Sequence, residues 1–308
     1  MKDMPRSLSC LSHPGLCKSS PSSTAVFRLM PVEDRIQQNR NFPAKMRSPL
    51  NIKIHSLPDT IHLIDKVVDQ FVEWLAAYQG KTSCHEAGSE TKPITIGLSG
   101  GRLVGSLFSV LSTRLNRELS NRSELREVLD RCHFFGADER AVAPDHPESN
   151  YRLALECLFE ATGIKSSNIH RIHGEIGMEK AASQAEAEYR SLFSSTNNEG
   201  MIPPMDLVFL GMGEDGHFAS IFPGNTEIGG ALRHECFYPV IGPKPPPERV
   251  TMSLRALLAA RHVWVVISGE QKRVTLEAAL REDSQLPIAT LIQRRPLTTC
   301  YLDFPVTH

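Results

Sequence analysis

This chain has no long apolar run, almost no net charge and no clustered cysteines, and each absence excludes something. No apolar stretch in its 308 residues approaches the roughly 18–20 residues needed to span a bilayer. Lys and Arg number 34 against 35 Asp and Glu, a formal net charge of −1. General attraction to nucleic acid or to anionic membrane is therefore not expected. The seven cysteines, at positions 10, 17, 84, 132, 157, 236 and 300, are odd in number, widely spaced and without a CxxC pair. That pattern favours reduced thiols in a cytoplasmic protein over a disulfide framework or a zinc site. No His/Cys/Asp/Glu cluster has metal-ligand spacing, so no metal and no cofactor are expected. A GxSxG elbow, a Walker A loop and a dinucleotide fingerprint are also missing. No helix-turn-helix signature occupies the first 57 residues.

What is present is a composition with 41% apolar residues, enough to bury a substantial core in one large α/β domain or two small ones. Residues 1–50 differ from the rest. They are rich in Ser and Pro (Ser19-Ser20-Pro21-Ser22-Ser23) and lack periodicity, which predicts a disordered extension. The extension reads as a tail, or as sequence upstream of a true start at Met30 or Met46. An organellar transit peptide is the alternative, because the first 30 residues hold a single acid, Asp3. Residues 51–308 form the expected domain, with its first legible element just after Leu57.

Ile61, Ile64, Val67, Val68, Phe71, Trp74 and Leu75 recur at helical spacing, so an amphipathic helix is expected with Asp59 near its start. Residues 80–91 read as a polar loop. Strands are expected at Ile94–Leu98, His133–Gly136, Asp206–Leu210, Val263–Ile267 and near Thr299–Leu302. Helices are expected near 102–118, 149–162, 178–194, 253–260 and 270–281. Short apolar strands alternating with helices predict a single doubly wound, mostly parallel sheet with helices on both faces. The Pro243–Pro247 segment reads as a loop.

Three strand ends could carry chemistry. Leu210-Gly211-Met212-Gly213-Glu214-Asp215-Gly216-His217 follows an apolar strand. Its glycines allow a tight turn and close ligand approach, and strand ends are where open α/β sheets bind ligands. His217 can act as a general base, with Asp215 orienting its ring. The bland alternative has Asp215 capping a helix that starts at Gly216. Gly97-Leu98-Ser99-Gly100-Gly101-Arg102-Leu103 lies between a strand and a helix, so its N–H groups suit a phosphate. Ser99 could add a hydroxyl and Arg102 a charge. Asp138-Glu139-Arg140 and Ser149-Asn150 follow a third strand. Arg140 could grip a carboxylate or phosphate, and Ser149 or Asn150 could simply cap the next helix. His146 reads as a solvated loop residue. Arg249, after the Pro-rich stretch, and Lys272, in the first turn of a helix where lysine opposes the dipole, complete the cationic candidates.

Together these segments resemble the 6-phosphogluconolactonases, within the wider glucosamine-6-phosphate isomerase/deaminase superfamily. The matching stretches are Leu98–Gly101, Asp138–Arg140 with Ser149-Asn150, Gly211–Pro223, Pro247–Thr251, Gly269–Lys272 and Leu286-Pro287. Many relatives carry Ser-Thr-Pro where this chain has Arg102-Leu103-Val104. The deaminases follow DGH with a stretch ending Phe-Asn-Glu-Pro, whose glutamate assists ring opening. Here the place reads Ser220-Ile221-Phe222-Pro223, without an acid. The resemblance implies a Rossmann-like sheet of the sugar-phosphate isomerase type and metal-free hydrolysis of 6-phosphoglucono-δ-lactone. It implies a small-molecule phosphosugar partner and a monomer or small homo-oligomer. By the same resemblance, the phosphate would sit against Ser99, Gly100 and Gly101, near Arg102 and Asn150. Arg249 and Lys272 would be its counter-charges. His217 would activate water, with Asp215 beside it, and Arg140 or backbone N–H groups would face the carbonyl oxygen. A sugar-phosphate isomerase or deaminase and a non-catalytic sugar-phosphate sensor remain as alternatives.

Overall fold

The computed structural model describes residues 52–78, 92–193, 201–228 and 230–306. The expected extension over residues 1–50 and the polar loop over 80–91 lie outside the described residues. Seven parallel strands form one open sheet in the order β1-β10-β9-β6-β2-β3-β5. These are β1 (Ile52–Ser56), β2 (Ile94–Leu98), β3 (Cys132–Gly136), β5 (Ile169–His170), β6 (Leu207–Gly211), β9 (His262–Ile267) and β10 (Thr298–Leu302). The five strands expected from sequence are all here, within a residue of their expected ends. Three further strands, β4 (Asp138–Arg140), β7 (Phe237–Ile241) and β8 (Glu248–Met252), make a small antiparallel sheet in the order β4-β8-β7.

The central strands β2 and β6 are mostly apolar and buried almost throughout because both faces are covered. Ile94, Ile96 and Leu98 of β2, with Phe134 of β3 and Phe209 of β6, join the main core cluster on one face. The alternating positions Thr95, Phe135, Val208 and Leu210 are buried as well, so they meet a second layer. Tyr189 of helix Met178–Ser191 packs edge-on against Phe135, ring centroids 5.1 Å apart, which places that helix in the second layer.

Helix Thr60–Ala76 starts at the expected cap. Asp59 accepts a hydrogen bond from His62 N–H at 2.9 Å, an interaction typically worth ~1 kcal/mol. Its buried stripe is Leu63, Ile64, Val67, Val68, Phe71, Val72 and Leu75. Ile61, expected in that stripe, is exposed; the buried stripe begins two residues later at Leu63. The domain also begins earlier than Leu57. β1 pairs in register with β10, Ile52 opposite Thr298 and Ser56 opposite Leu302. As an edge strand it is only half-buried, so it lacks the apolar signature of the central strands. Helices Asn150–Ala154, Leu254–Ala259 and Arg273–Ala279 lie within the expected helices, Val104–Asn121 runs past the expected end at 118, and Ser123–Leu129 and Pro287–Arg294 are additional. Among the described residues no helix is long and apolar enough to cross a membrane.

The order of the strands locates the ligand crevice. From β2 the chain moves outward through β3 to β5, returns to β6 on the other side of β2, and continues to β9 and β10. The winding reverses between β2 and β6. In open α/β sheets the carboxyl ends of two such strands flank the ligand site.

Candidate active site

β2 and β6 end level with each other, with Leu98 opposite Phe209, and the Phe209 carbonyl accepts the Ser99 N–H at 3.1 Å. Each strand then runs into a glycine turn, and a cavity of about 760 Å³ opens between the turns. Ser99, Gly100, Gly101, Arg102, Arg140, Asn150, His217, Arg249 and Lys272 all line it. Asp215, the tenth residue singled out from sequence, stands behind His217.

In the turn after β6, no helix begins at Gly216. Gly216 has φ +77°, and the segment is a compact loop. Asp215 Oδ1 accepts the His217 main-chain N–H at 3.2 Å and the ring Nδ1–H at 2.5 Å. Nε2 is thereby left with its lone pair. Burial by itself would raise the Asp215 carboxyl, but the His217 ring and N–H outweigh it and hold the group below its ordinary value. A Cβ on Gly213 would lie 2.1 Å from the His217 ring, so glycine is what lets the ring sit there. The ring rests on Phe222, centroids 4.8 Å apart. The loop is pinned at its back by Thr275 Oγ1–H donating to the Glu214 carbonyl at 2.7 Å, and by the Ile288 N–H on the Gly216 carbonyl at 3.0 Å.

In the turn after β2, Gly100 faces Asn150 so closely that a Cβ would stand 1.9 Å from the Asn150 Oδ1. Gly101 has φ +140°. Helix Val104–Asn121 follows without a side-chain cap, its Val104 N–H bonded to the Gly101 carbonyl at 3.1 Å; Val104 and Gly105 line the cavity, which puts the positive end of the helix dipole there. Ser99 differs from expectation. Its hydroxyl donates to Asp138 Oδ1 at 2.7 Å and its N–H is already on Phe209, so both donors serve the protein. Arg102 is largely exposed at the mouth, with Nη2 3.0 Å from Glu214 Oε1.

β4 and the start of helix Asn150–Ala154 form one wall. Ser149, not Asn150, is the cap, accepting from Arg152 N–H at 3.1 Å. Asn150 instead donates Nδ2–H to the Asp138 carbonyl at 2.9 Å. Glu139 is buried, and burial raises its carboxyl even though the N–H groups of Asn150, Tyr151 and Arg140 oppose the shift. It ties the strand to the helix. Arg140 points into the cavity and pairs with Glu148 Oε2 at 3.2 Å. His146 is exposed, as expected, and accepts the Glu148 N–H.

The cations are placed by the two sheets. Arg249 is 6% exposed, yet its hydrogen bonds go to the carbonyls of Pro246 and Lys244. Its guanidinium lies 5.4 Å from the Phe222 ring centre. Burial and then the neighbouring Arg140 push its pKa down. Lys272 is likewise pushed down, first by burial and then by Arg102. The turn before it is held by Asp303, which accepts from Ser268 Oγ–H at 2.6 Å and Gly269 N–H at 2.9 Å. Lys244, Glu148 and Gln271 also line the cavity and were not singled out from sequence. Lys244 reaches it only because the β7–β8 hairpin folds back, and nothing local signals that.

An open parallel sheet whose switch point carries a histidine–carboxylate pair beside the buried Arg249 and the half-buried Lys272 defines an α/β protein built to hold an anionic ligand against a base. The chain belongs to the glucosamine-6-phosphate isomerase/6-phosphogluconolactonase family, whose model matches residues 62–300. It is 32% identical over 256 residues to the Oryza sativa subsp. indica protein named "Probable 6-phosphogluconolactonase 3, chloroplastic", covering 79% of this chain and 74% of that one. It is 34% identical over 223 residues to the Homo sapiens protein named 6-phosphogluconolactonase, covering 72% and 81%. The crystal structure of 6-phosphogluconolactonase from Thermotoga maritima superposes with a TM-score of 0.63 at 28% identity, over 82% of this chain and 99% of that one.

Proposed function

We propose that this protein hydrolyses 6-phospho-D-glucono-1,5-lactone to 6-phospho-D-gluconate, the lactone-opening step of the oxidative pentose phosphate pathway, with His217 as general base. The carrying observation is that the His217–Asp215 pair and the cations Arg249 and Lys272 share one cavity at the sheet's switch point. The phosphate docks against the Gly100-Gly101 turn and the first turn of helix Val104–Asn121, where partial positive charge collects. Arg249 and Lys272 supply the counter-charge. Each has been partly stripped of water by burial, so binding a dianion costs little further desolvation.

The lactone carbonyl then faces His217. Nε2 takes a proton as the water oxygen bonds to C1 and the carbonyl electron pair moves onto its oxygen. Arg140 faces that oxygen; a donor so placed contributes on the order of 3 kcal/mol to the transition state. The pair returns as the bond from C1 to the ring oxygen breaks. Imidazolium gives its proton to that oxygen, which becomes the C5 hydroxyl, and the new acid loses a proton to solvent. Asp215 holds the tautomer and stabilises the cation, as in other His–carboxylate pairs. In place of a ring-opening acid, Phe222 lies against the His217 ring, which supports lactone hydrolysis over isomerisation.

The test is a coupled assay in which glucose 6-phosphate dehydrogenase generates the lactone in place. Accelerated loss of lactone, slowed ~10²–10⁴-fold in a folded H217A, supports the reading; a folded wild-type protein without acceleration overturns it. We place the enzyme in the cytoplasm as a monomer or small homo-oligomer. The free thiols Cys132, Cys157, Cys236 and Cys300 fit a reducing compartment. Organelle import of a reporter carrying residues 1–50 would overturn that placement.

A further inference from the structure

Asp138 lies on the cavity floor, 4% exposed, where three elements of the site meet. Its Oδ1 accepts the Ser99 hydroxyl at 2.7 Å. Its Oδ2 accepts the Ser220 hydroxyl at 2.8 Å. Asn150 Nδ2, which donates to the Asp138 carbonyl, also approaches Oδ1 at 3.4 Å. Ser99 opens the glycine turn after β2. Ser220 closes the loop after β6 that carries His217. Asn150 begins the helix whose side chain packs against Gly100. One carboxylate thus spans both halves of the site, although Ser99 and Ser220 are 121 positions apart in the chain.

The loop it grips is strained. Ala219, immediately before Ser220, has φ +46°, the only non-glycine positive φ among the described residues. Such a conformation costs about 1–3 kcal/mol and persists only where the surroundings hold it. Ser220 is held on two sides, by its hydroxyl on Asp138 and by its N–H on Thr251 Oγ1 at 3.2 Å. Thr251 is itself the cross-strand partner of Asp138. Two residues before the strained position stands His217.

We propose that Asp138 is the positioning residue that couples the glycine turn to the histidine loop: through Ser99 it fixes where phosphate is held, and through Ser220 it fixes the base. A carboxylate offers two acceptor oxygens to two donor hydroxyls. Asparagine offers one oxygen and one NH2 group, so one serine must turn its hydroxyl to accept from the NH2, and both loops exchange a charge-assisted bond for a weaker neutral one. This rests on the lactonase reading for its kinetic form.

The experiment compares D138N, S99A, S220A and D138N/S99A with wild type, after melting curves establish that each is folded at the assay temperature. S99A is expected to raise KM more than it lowers kcat, and S220A to lower kcat more than it raises KM. D138N does both, each about tenfold, and S99A costs less in the D138N background than alone, as for groups in one network. A scaffold role without coupling would lower Tm and leave kcat and KM at wild-type values, which overturns the proposal. So does full additivity of D138N with S99A, or loss of turnover in D138N while S99A and S220A behave as wild type. A turnover-free measurement separates this from failure of the lactonase reading. Inorganic phosphate is titrated while the His217 ring signals are followed by NMR. D138N should both weaken phosphate binding and shift the His217 signals before phosphate is added; if either change is missing, the coupling is overturned, even in a protein that hydrolyses no lactone.

Discussion

Arg140 and Arg249 are direct cross-strand partners on β4 and β8, two guanidinium groups side by side at the wall of one cavity. Like charges opposite each other destabilise a sheet, and Arg140 pairs with Glu148, while Arg249 donates to the Pro246 and Lys244 carbonyls and lies against the Phe222 ring. The arrangement is intelligible as charge held ready for an anion, and it sets up the first expectation.

Arg249→Met should raise KM about ten- to a hundredfold, the loss of one charge-assisted bond at ~1.5–3 kcal/mol. Because Arg249 is a buried cation whose folded-state pKa is lowered, its charge opposes folding, so R249M should melt higher than ligand-free wild type. Inorganic phosphate should raise the wild-type Tm and move R249M far less. Steady-state kinetics read the KM and a calorimetric melt with and without phosphate the three Tm expectations, and a lower Tm for R249M would count against the idea.

Asp215→Asn keeps the size of the side chain but cannot hold the imidazolium. The expected result is a fall in kcat of roughly 10²–10⁴-fold with KM nearly kept, measured in the coupled assay. A folded D215N with wild-type kcat would remove Asp215 from the proton path.

Gly213→Ala places a Cβ 2.1 Å from the His217 ring, and Gly100→Ala one 1.9 Å from Asn150. Overpacking of this kind costs about 1–3 kcal/mol. The two should nevertheless separate kinetically: G213A displaces the base and lowers kcat, whereas G100A disturbs the phosphate turn and raises KM. Steady-state kinetics decide it.

Glu175 is held down to about 2 from an ordinary 4.5, first by its hydrogen bond to Arg171. A depressed carboxyl stabilises the fold above its unfolded pKa and loses that contribution as pH falls through the folded one. Glu175→Gln should therefore lower Tm at pH 7, with the gap to wild type closing between pH 4.5 and about 2. An unchanged gap at pH 2.5 would show that the pair does not act through charge. The group is solvent-accessible, so the shift at pH 7 should be small.

Much of this was legible beforehand. β2, β6 and β9 are short apolar runs because both faces of a parallel sheet are buried, and periodicity reports that directly. The glycine turns and His217 were legible because tight turns and a proton carrier leave local signatures. The antiparallel sheet was not. β4 is three residues of Asp-Glu-Arg and β8 begins Glu-Arg, and charge in a strand hides it from any hydropathy pattern. In sequence, Ser99 in its glycine turn looks like a ligand donor; that its hydroxyl donates to Asp138 depends on a contact 39 positions away.

The amino-acid order by itself determined the alternation of strand and helix, the two turns and the residue types that the chemistry requires, because those follow from local sterics and burial. Only the tertiary structure decided which groups face one another. The reversal of winding between β2 and β6 brings the Gly100 turn and His217 onto one cavity, β4–β8 pairing sets Arg249 next to Arg140, and Asp138 gathers Ser99, Ser220 and Asn150. Such meetings depend on packing between segments far apart in the chain, and no local propensity encodes them.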